Sequence, residues 1–303
     1  MRPSTGTKVW WSELLPYEFR RRLDECPIVY LPLGLCEPHG QVSAFGLDTI
    51  KAEWLCQRAA EAIGGVVAPS MGYHIHESGY HARWLEEEIG EENPYMTGIP
   101  PFLFIHLFLY QMRAFVNAGF RKIVVLSGHS GGNQYDLRRA AERFMRQFPQ
   151  VDIWVRSDPE LVEGLYEGDH AGKFEISQLM YIRPELIEMD KAALQHEAGS
   201  GGRLALGADA GESSPELGRG IMEACLDTVV KEASRMKAEA SGEAGEAAIT
   251  RISYAQIEAI WSDVRQEADE WATARPWPTQ CAVSSTSQWK PYERICSPYQ
   301  SMI

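Results

Sequence analysis

The sequence has no excess of positive charge: its 303 residues carry a formal net charge of -13 at pH 7. Nothing is available to neutralise a phosphate backbone, which excludes a general nucleic-acid binder. A long apolar run is also missing. Pro100 to Val116 is broken by His106, Gln111 and Arg113 and falls short of the roughly 20 residues that cross a bilayer. It reads as a buried amphipathic helix, and no membrane partner is expected. The opening MRPSTGTKVWW contains no apolar signal core, so it does not read as a signal peptide. The six cysteines (Cys26, Cys36, Cys56, Cys225, Cys281 and Cys296) form no CxxC pair and no dense framework. They read as free thiols in a reducing cytoplasm, the expected location. There is no internal repeat.

The apolar fraction of 45% and charged fraction of 23% fit a soluble chain with a full core. Short β-branched runs alternate with helical patterns over the first two-thirds, the signature of a parallel α/β sheet. Strands are expected at Ile28–Gly34, Val66–Ala68, Lys122–Leu126 and Val151–Val155. Helices are expected at Thr49–Ile63, closed by Gly64-Gly65, at Phe102–Asn117, at Gln134–Gln147 and at Glu175–Ile182. Ser213-Ser214-Pro215 signals another helix start, and Leu217, Ile221 and Cys225 follow at helical spacing. Between Tyr73 and Gly98 lies a polar insertion rich in His, Glu and Gly, of a length that usually serves function or acts as a lid. Composition shifts near Lys237. Ala238 to Ala248 reads as a linker or loose helix, and beyond it come Trp261, Trp271, Trp277 and Trp289. That aromatic content argues for packing, on the core or on a neighbouring subunit, rather than disorder.

Three clusters carry chemistry. Glu37-Pro38-His39-Gly40, with Asp48 beyond it, follows the first strand, where open α/β sheets place their sites. Carboxylate and imidazole suit Zn, Mn or Fe, and an aspartate bridges two ions through its two oxygens. A lone E-x-H also occurs often by chance. Ser127-Gly128-His129-Ser130-Gly131-Gly132-Asn133 follows the clearest strand. Its glycines permit a tight turn and close backbone approach, and it equally fits a phosphate loop or a plain strand-to-helix turn. It lacks the lysine of a P-loop. Gly168-Asp169-His170-Ala171-Gly172-Lys173-Phe174-Glu175 puts an imidazole and a carboxylate at a loop running into a helix. Alone it reads as an exposed loop.

Together these segments resemble the creatininase family (creatinine amidohydrolase and relatives). The family's E-Q-H-G…G-T-D reads here EPHGQVSAFGLD, its N-G-H-G-G-N matches SGHSGGN, and its H-A-G-x-x-E-[TS] matches HAGKFEIS. A late G-P-E-x-G-R looks like SPELGR. The resemblance covers residues 20 to 237 or so. It implies a three-layer α/β/α sandwich with a mostly parallel sheet, a catalytic domain over 1–237 and an extension over 238–303. It also implies two divalent ions, Zn first and Mn or Fe as alternatives. Glu37, Asp48 and His129 would hold one ion. His39, the bridging Asp48 and a further carboxylate would hold the other. Creatininase has that carboxylate two residues after the second-motif histidine, a position that is Gly131 here, so Glu175 is the candidate, as ligand or as general base.

The implied activity is hydrolysis of a small, non-peptide, cyclic amide C–N bond by a metal-bridging hydroxide, with His170 protonating the leaving nitrogen. Formamide or modified-peptide hydrolysis, a metal-dependent lyase or isomerase, and a silent binding protein are the rivals. Family members assemble as oligomers, hexamers among them, so a homo-oligomer is expected. Pro38, Val42 and Leu47 depart from the family pattern, and the last removes a hydroxyl expected to face substrate. His74, His76, Glu77 and His81 in the insertion are expected to lie at the surface or to contact substrate rather than bind metal. Trp154 and Tyr166 are candidates for a pocket wall or for core packing. His106 and His196 are given no role.

Overall fold

The computed structural model describes residues 7–76, 95–168, 170–196, 206–242 and 251–274. Strand β1 (Ile28–Leu33) is buried at every position, as a strand covered on both faces must be. Its side chains alternate. Val29, Leu31 and Leu33 enter one apolar cluster, and Ile28 and Tyr30 enter another. Strand β5 (Lys122–Ser127) divides in the same way, with Ile123 and Val125 on one side and Val124 and Leu126 on the other. With β2 (Val66–Val67) and β6 (Asp152–Ser157) they form a four-stranded, wholly parallel sheet of order β2-β1-β5-β6.

Helix α1 (Pro16–Glu25) precedes β1, and α2 (Leu47–Ile63) connects β1 to β2. The helix α3 (Pro101–Ala118) precedes β5, and α4 (Asn133–Gln147) connects β5 to β6. A one-turn helix α5 (Asp158–Leu161), then α6 (Lys173–Ile182), α7 (Pro215–Gly242) and α8 (Tyr254–Gln266) complete the order. Residues of α3, α4 and α8 cover one face of the sheet; residues of α2, α6 and α7 cover the other. The result is a three-layer α/β/α sandwich. Each fully buried large apolar side chain in these layers contributes roughly 1.5–3 kcal/mol.

The stop signals act as the sequence suggests. Gly64 and Gly119 close α2 and α3 with positive φ, and Ser214 Oγ accepts the Leu217 N–H at the start of α7. The helix α7 then continues without a break to Gly242. Residues 251–274 pack on the sheet's first face, where Ile257, Trp261 and Trp271 join its core. Asp136 of α4 accepts the Ala272 and Thr273 N–H groups and fixes this segment. Trp277 and Trp289 lie outside the described residues. So do Glu77, His81, Cys281 and Cys296, and the side chain of His196. Among the described residues no helix is long and apolar enough to cross a membrane, and Cys26, Cys36, Cys56 and Cys225 are free.

Register positions the site. Leu33 pairs with Ser127, and Ser127 with Ser157, so β1, β5 and β6 end flush. The three chains therefore leave the sheet along one edge, carrying Glu37, His129 and Asp158.

Candidate metal centre

Gly34 and Gly128, each just past a strand end, press directly on the first turn of α2. A Cβ on Gly128 would strike the carbonyl oxygen of Asp48, and one on Gly34 the backbone of Thr49. No other residue permits this approach. It seats Asp48 over the strand ends, between the loops after β1 and β5. The third segment arrives through α6. Ala171 holds a left-handed conformation at φ 51°, a strain on the order of 1–3 kcal/mol that clusters at functional sites. Its N–H donates to Glu175 Oε2 at 2.9 Å, which folds the His170 loop back over its own helix start.

Six predicted site residues meet here. His129 Nδ1 lies 2.9 Å from Glu37 Oε1 and 3.3 Å from Asp48 Oδ2. On the other side of Asp48, His39 Nε2 lies 3.3 Å from Oδ1 and 3.4 Å from Glu175 Oε2. The two oxygens of Asp48 are thus divided between two imidazoles. Above them, His170 Nδ1 is 3.9 Å from Glu37 Oε1 and 3.8 Å from Glu175 Oε2. Its Nε2 is 2.9 Å from the Pro38 carbonyl, and its ring lies 4.7 Å from that of His39.

Two further groups were not found from the sequence. His76 is buried, with Nε2 3.2 Å from Glu37 Oε2 and its ring 5.3 Å from His129. This corrects the expectation of a surface position for His74 and His76. His74 stacks on Phe104 and lies 3.3 Å from Ser127 Oγ. The available signal was the H-x-H spacing, which puts both rings on one face of a strand. Lys51 is the other. One turn after Asp48 and fully buried, its Nζ reaches Glu175 Oε1 at 2.7 Å and Asp158 Oδ2 at 3.1 Å. Gln178 donates to Asp158 from behind.

Leu47 corrects a second expectation. It is buried with Val42, Ile176 and Leu179 in a third apolar cluster, so it faces core rather than cleft. Trp154 and Tyr166 pack against the second core cluster. His106 stacks on Trp261 and pairs with Glu258.

The electrostatics favour cations. Burial opposes the charge of Glu37, yet His129 and His170 hold its carboxyl well below the usual range. Burial also opposes the charge of Glu175, but Lys51 and His39 keep its carboxyl well below that range too. Burial pulls the His129 imidazole down, but Glu37 and Asp48 outweigh it and raise it to about 10. His39 is likewise raised, by Asp48 and Glu175, against its burial. In the metal-free chain, protonated imidazoles therefore supply the positive charge between the carboxylates. That substitution is imperfect: Asp48 Oδ1 and Oδ2 and His39 Nε2 are buried without a hydrogen bond. Such groups cost about 1–3 kcal/mol each when left unmatched. Divalent cations fit this donor set, and three groups of mutually close ligand atoms converge: Glu37–His39–His170, Glu37–His76–His129 and His39–Asp48–Glu175.

A parallel α/β/α sandwich that gathers such a donor cluster at the carboxyl ends of its strands has the architecture of a metal-binding enzyme. The creatininase family model, described as creatinine amidohydrolase, matches residues 12–260. The chain belongs to the creatininase family, and its match to creatinine amidohydrolase supports a hydrolase acting on carbon–nitrogen bonds other than peptide bonds. It is 27% identical over 198 residues to a creatinine amidohydrolase of Pseudomonas putida, covering 60% of this chain and 72% of that one. It is equally 27% identical over 201 residues to a 3-dehydro-scyllo-inosose hydrolase of Thermotoga maritima, covering 61% of this chain and 60% of that one. A crystal structure of creatinine amidohydrolase (creatininase) superposes with TM-score 0.63 at 22% identity, covering 77% of this chain and 99% of that one. At that identity it establishes the shared fold.

Proposed function

We propose that the chain hydrolyses a small, cyclic, non-peptide amide with two divalent ions. Glu37, Asp48 and His129 would hold one ion, and His39, Asp48 and Glu175 the other. The observation that carries this reading is Asp48 itself. Its two buried oxygens make no hydrogen bond, and each faces an imidazole of a different set at 3.3 Å. Zn and Mn are the expected metals, and creatininases of the same fold are known as an Mn form and a Zn–Zn form. Bound there, the ions supply Lewis acidity toward the amide carbonyl and acidify water near neutral pH.

The chain's own residues do the rest. Both Glu175 oxygens already receive donors, Lys51 Nζ on Oε1 and the Ala171 N–H on Oε2. A carboxylate so stabilised is a poor base, and each of its oxygens keeps a second lone pair for a cation, which favours the ligand role over general base. His170 donates its Nε2–H to the Pro38 carbonyl, which fixes the ring and turns Nδ1 toward Glu37 and Glu175. Protonated, that Nδ1–H is the donor for the leaving nitrogen. Creatinine is not carried over as the substrate, because two relatives of equal identity are named for different ones.

The test is a screen of lactams, hydantoins and N-formyl compounds with Zn- or Mn-loaded protein. Cyclic amides should be turned over, and His170→Ala should lower kcat by roughly 10²–10⁴-fold at unchanged metal content. No amide hydrolysis by the loaded wild type, or full turnover by His170→Ala, contradicts the reading.

A further inference from the structure

We infer that His76 is a third protein ligand to the ion held by Glu37 and His129, which makes the two metal positions chemically unequal. The inference rests on the binuclear reading above and adds to it a residue from a different part of the chain. Glu37, His76 and His129 are all buried, and their ligand atoms lie within 4.8 Å of one another. Glu37 is divided between the two imidazoles: Oε1 lies 2.9 Å from His129 Nδ1, and Oε2 lies 3.2 Å from His76 Nε2.

The backbone delivers His76 deliberately. Strand β3 (His74–Ile75) pairs in parallel with β4 (Gly98–Ile99). Thr97 then ties this pair to the loop that carries Glu37, its N–H donating to the Cys36 carbonyl and its Oγ1 accepting the Cys36 N–H. Ile75 is fully buried in the first core cluster, which pins the strand and leaves its neighbours facing the other way. His74 and His76 consequently share one face, with ring centroids 5.5 and 5.3 Å from that of His129. Of the two, His74 is committed elsewhere: its Nδ1 accepts the Ile75 N–H, and it stacks on Phe104. His76 is the ring turned to the carboxylate.

Gly131, two residues beyond His129, offers no donor from the β5 loop. With His76 the first position has two imidazoles and one carboxylate before Asp48 is counted. With Asp48 shared, this position would draw on two imidazoles and two carboxylates, a nitrogen-bearing set that suits Zn. The second position has one imidazole and the carboxylates of Asp48 and Glu175, a harder, oxygen-rich set that suits Mn better.

The experiment titrates metal-free protein with Co²⁺, following visible absorption and heat, for the wild type, His76→Ala and His76→Asp. The wild type should take up two ions in resolved steps. In His76→Ala the tighter step should weaken by at least ~10²-fold, taking the loss of outer-shell partners as a lower bound, and its absorption should change. The second step should hold. His76→Asp should recover affinity but not the spectrum. If the wild type takes up two ions and His76→Ala matches it in affinity and absorption, His76 is not a ligand and the binuclear reading stands. If the wild type takes up no Co²⁺, the binuclear reading itself fails. Should His76→Ala not fold, His76→Asn, which keeps nearer the volume, is judged by the same two outcomes.

Discussion

The two halves of the centre share Asp48 but are supported in opposite ways. Behind Glu37, His76 and His129 stands neutral packing: His74 stacked on Phe104, Ile75 in the core, and Ser127 donating to the His129 carbonyl. Behind His39, Asp48 and Glu175 stands charge: Lys51 between Glu175 and Asp158, with Gln178 on Asp158. Burial costs Lys51 its charged form, but Asp158, Glu175 and Asp48 outweigh that and hold the ammonium. Burial leaves Asp158 the harder to ionise, its carboxyl raised to about 6 even beside Lys51. One half is thus sensitive to shape and the other to electrostatics. A ligand set alone does not define a metal position; the layer behind it decides what breaks it.

The largest break should come from Lys51→Met. It strips the cation from a buried network and leaves Glu175 and Asp158 facing each other, a loss of about 3–5 kcal/mol by the usual cost of an orphaned buried charge. Chemical denaturation of the metal-free protein reads this directly. Divalent metal should restore part of the stability, because it supplies charge to Glu175. A variant as stable as the wild type would mean that the charged half is not held by Lys51.

A smaller effect should appear as a pH dependence of stability, to which both halves contribute. His129 is raised from 6.5 to about 10 in the metal-free fold. Its contribution is complete below the unfolded value and is lost as pH climbs through the folded one. Glu37 is depressed below 4.5, so its contribution is present above that value and lost as pH falls through its folded one. The Tm of metal-free protein should therefore decline steadily from about pH 6.5 to about pH 10. Metal loading should flatten the decline, since ligation displaces the proton. An equal decline with and without metal would contradict this account of His129.

Much of this was legible in the sequence. The strands and helices around the sheet follow from short β-branched runs, helical patterns and glycine stops, and they differ from expectation by a residue or two at their ends. Helix α7 is the exception. It runs to Gly242, past the composition shift at Lys237 and into the stretch read as a linker or loose helix. The five residues proposed as ligands were legible as candidates because they sit in short motifs, Glu37, His39 and His129 in loops after strands and Asp48 and Glu175 in first turns of helices. His76 was not, since what makes it a candidate is the β3–β4 pairing and the Thr97 tie, both contacts distant in sequence. Lys51 was hidden for a related reason: a lysine in an amphipathic helix reads as solvated until a distant glutamate and aspartate are seen to surround it. Leu47 shows the reverse error, a motif position assigned to the cleft whose side chain turns into the core.

The central claim is that Asp48 joins two ions, and the most direct test counts them. Metal-free wild type and Asp48→Asn would be equilibrated with excess Zn²⁺ or Mn²⁺, dialysed, and their metal measured per chain. The account predicts two ions in the wild type and at most one, held by Glu37, His76 and His129, in Asp48→Asn, whose neutral amide cannot bridge. A wild type that retains one ion or none, or an Asp48→Asn protein that still holds two, would contradict it.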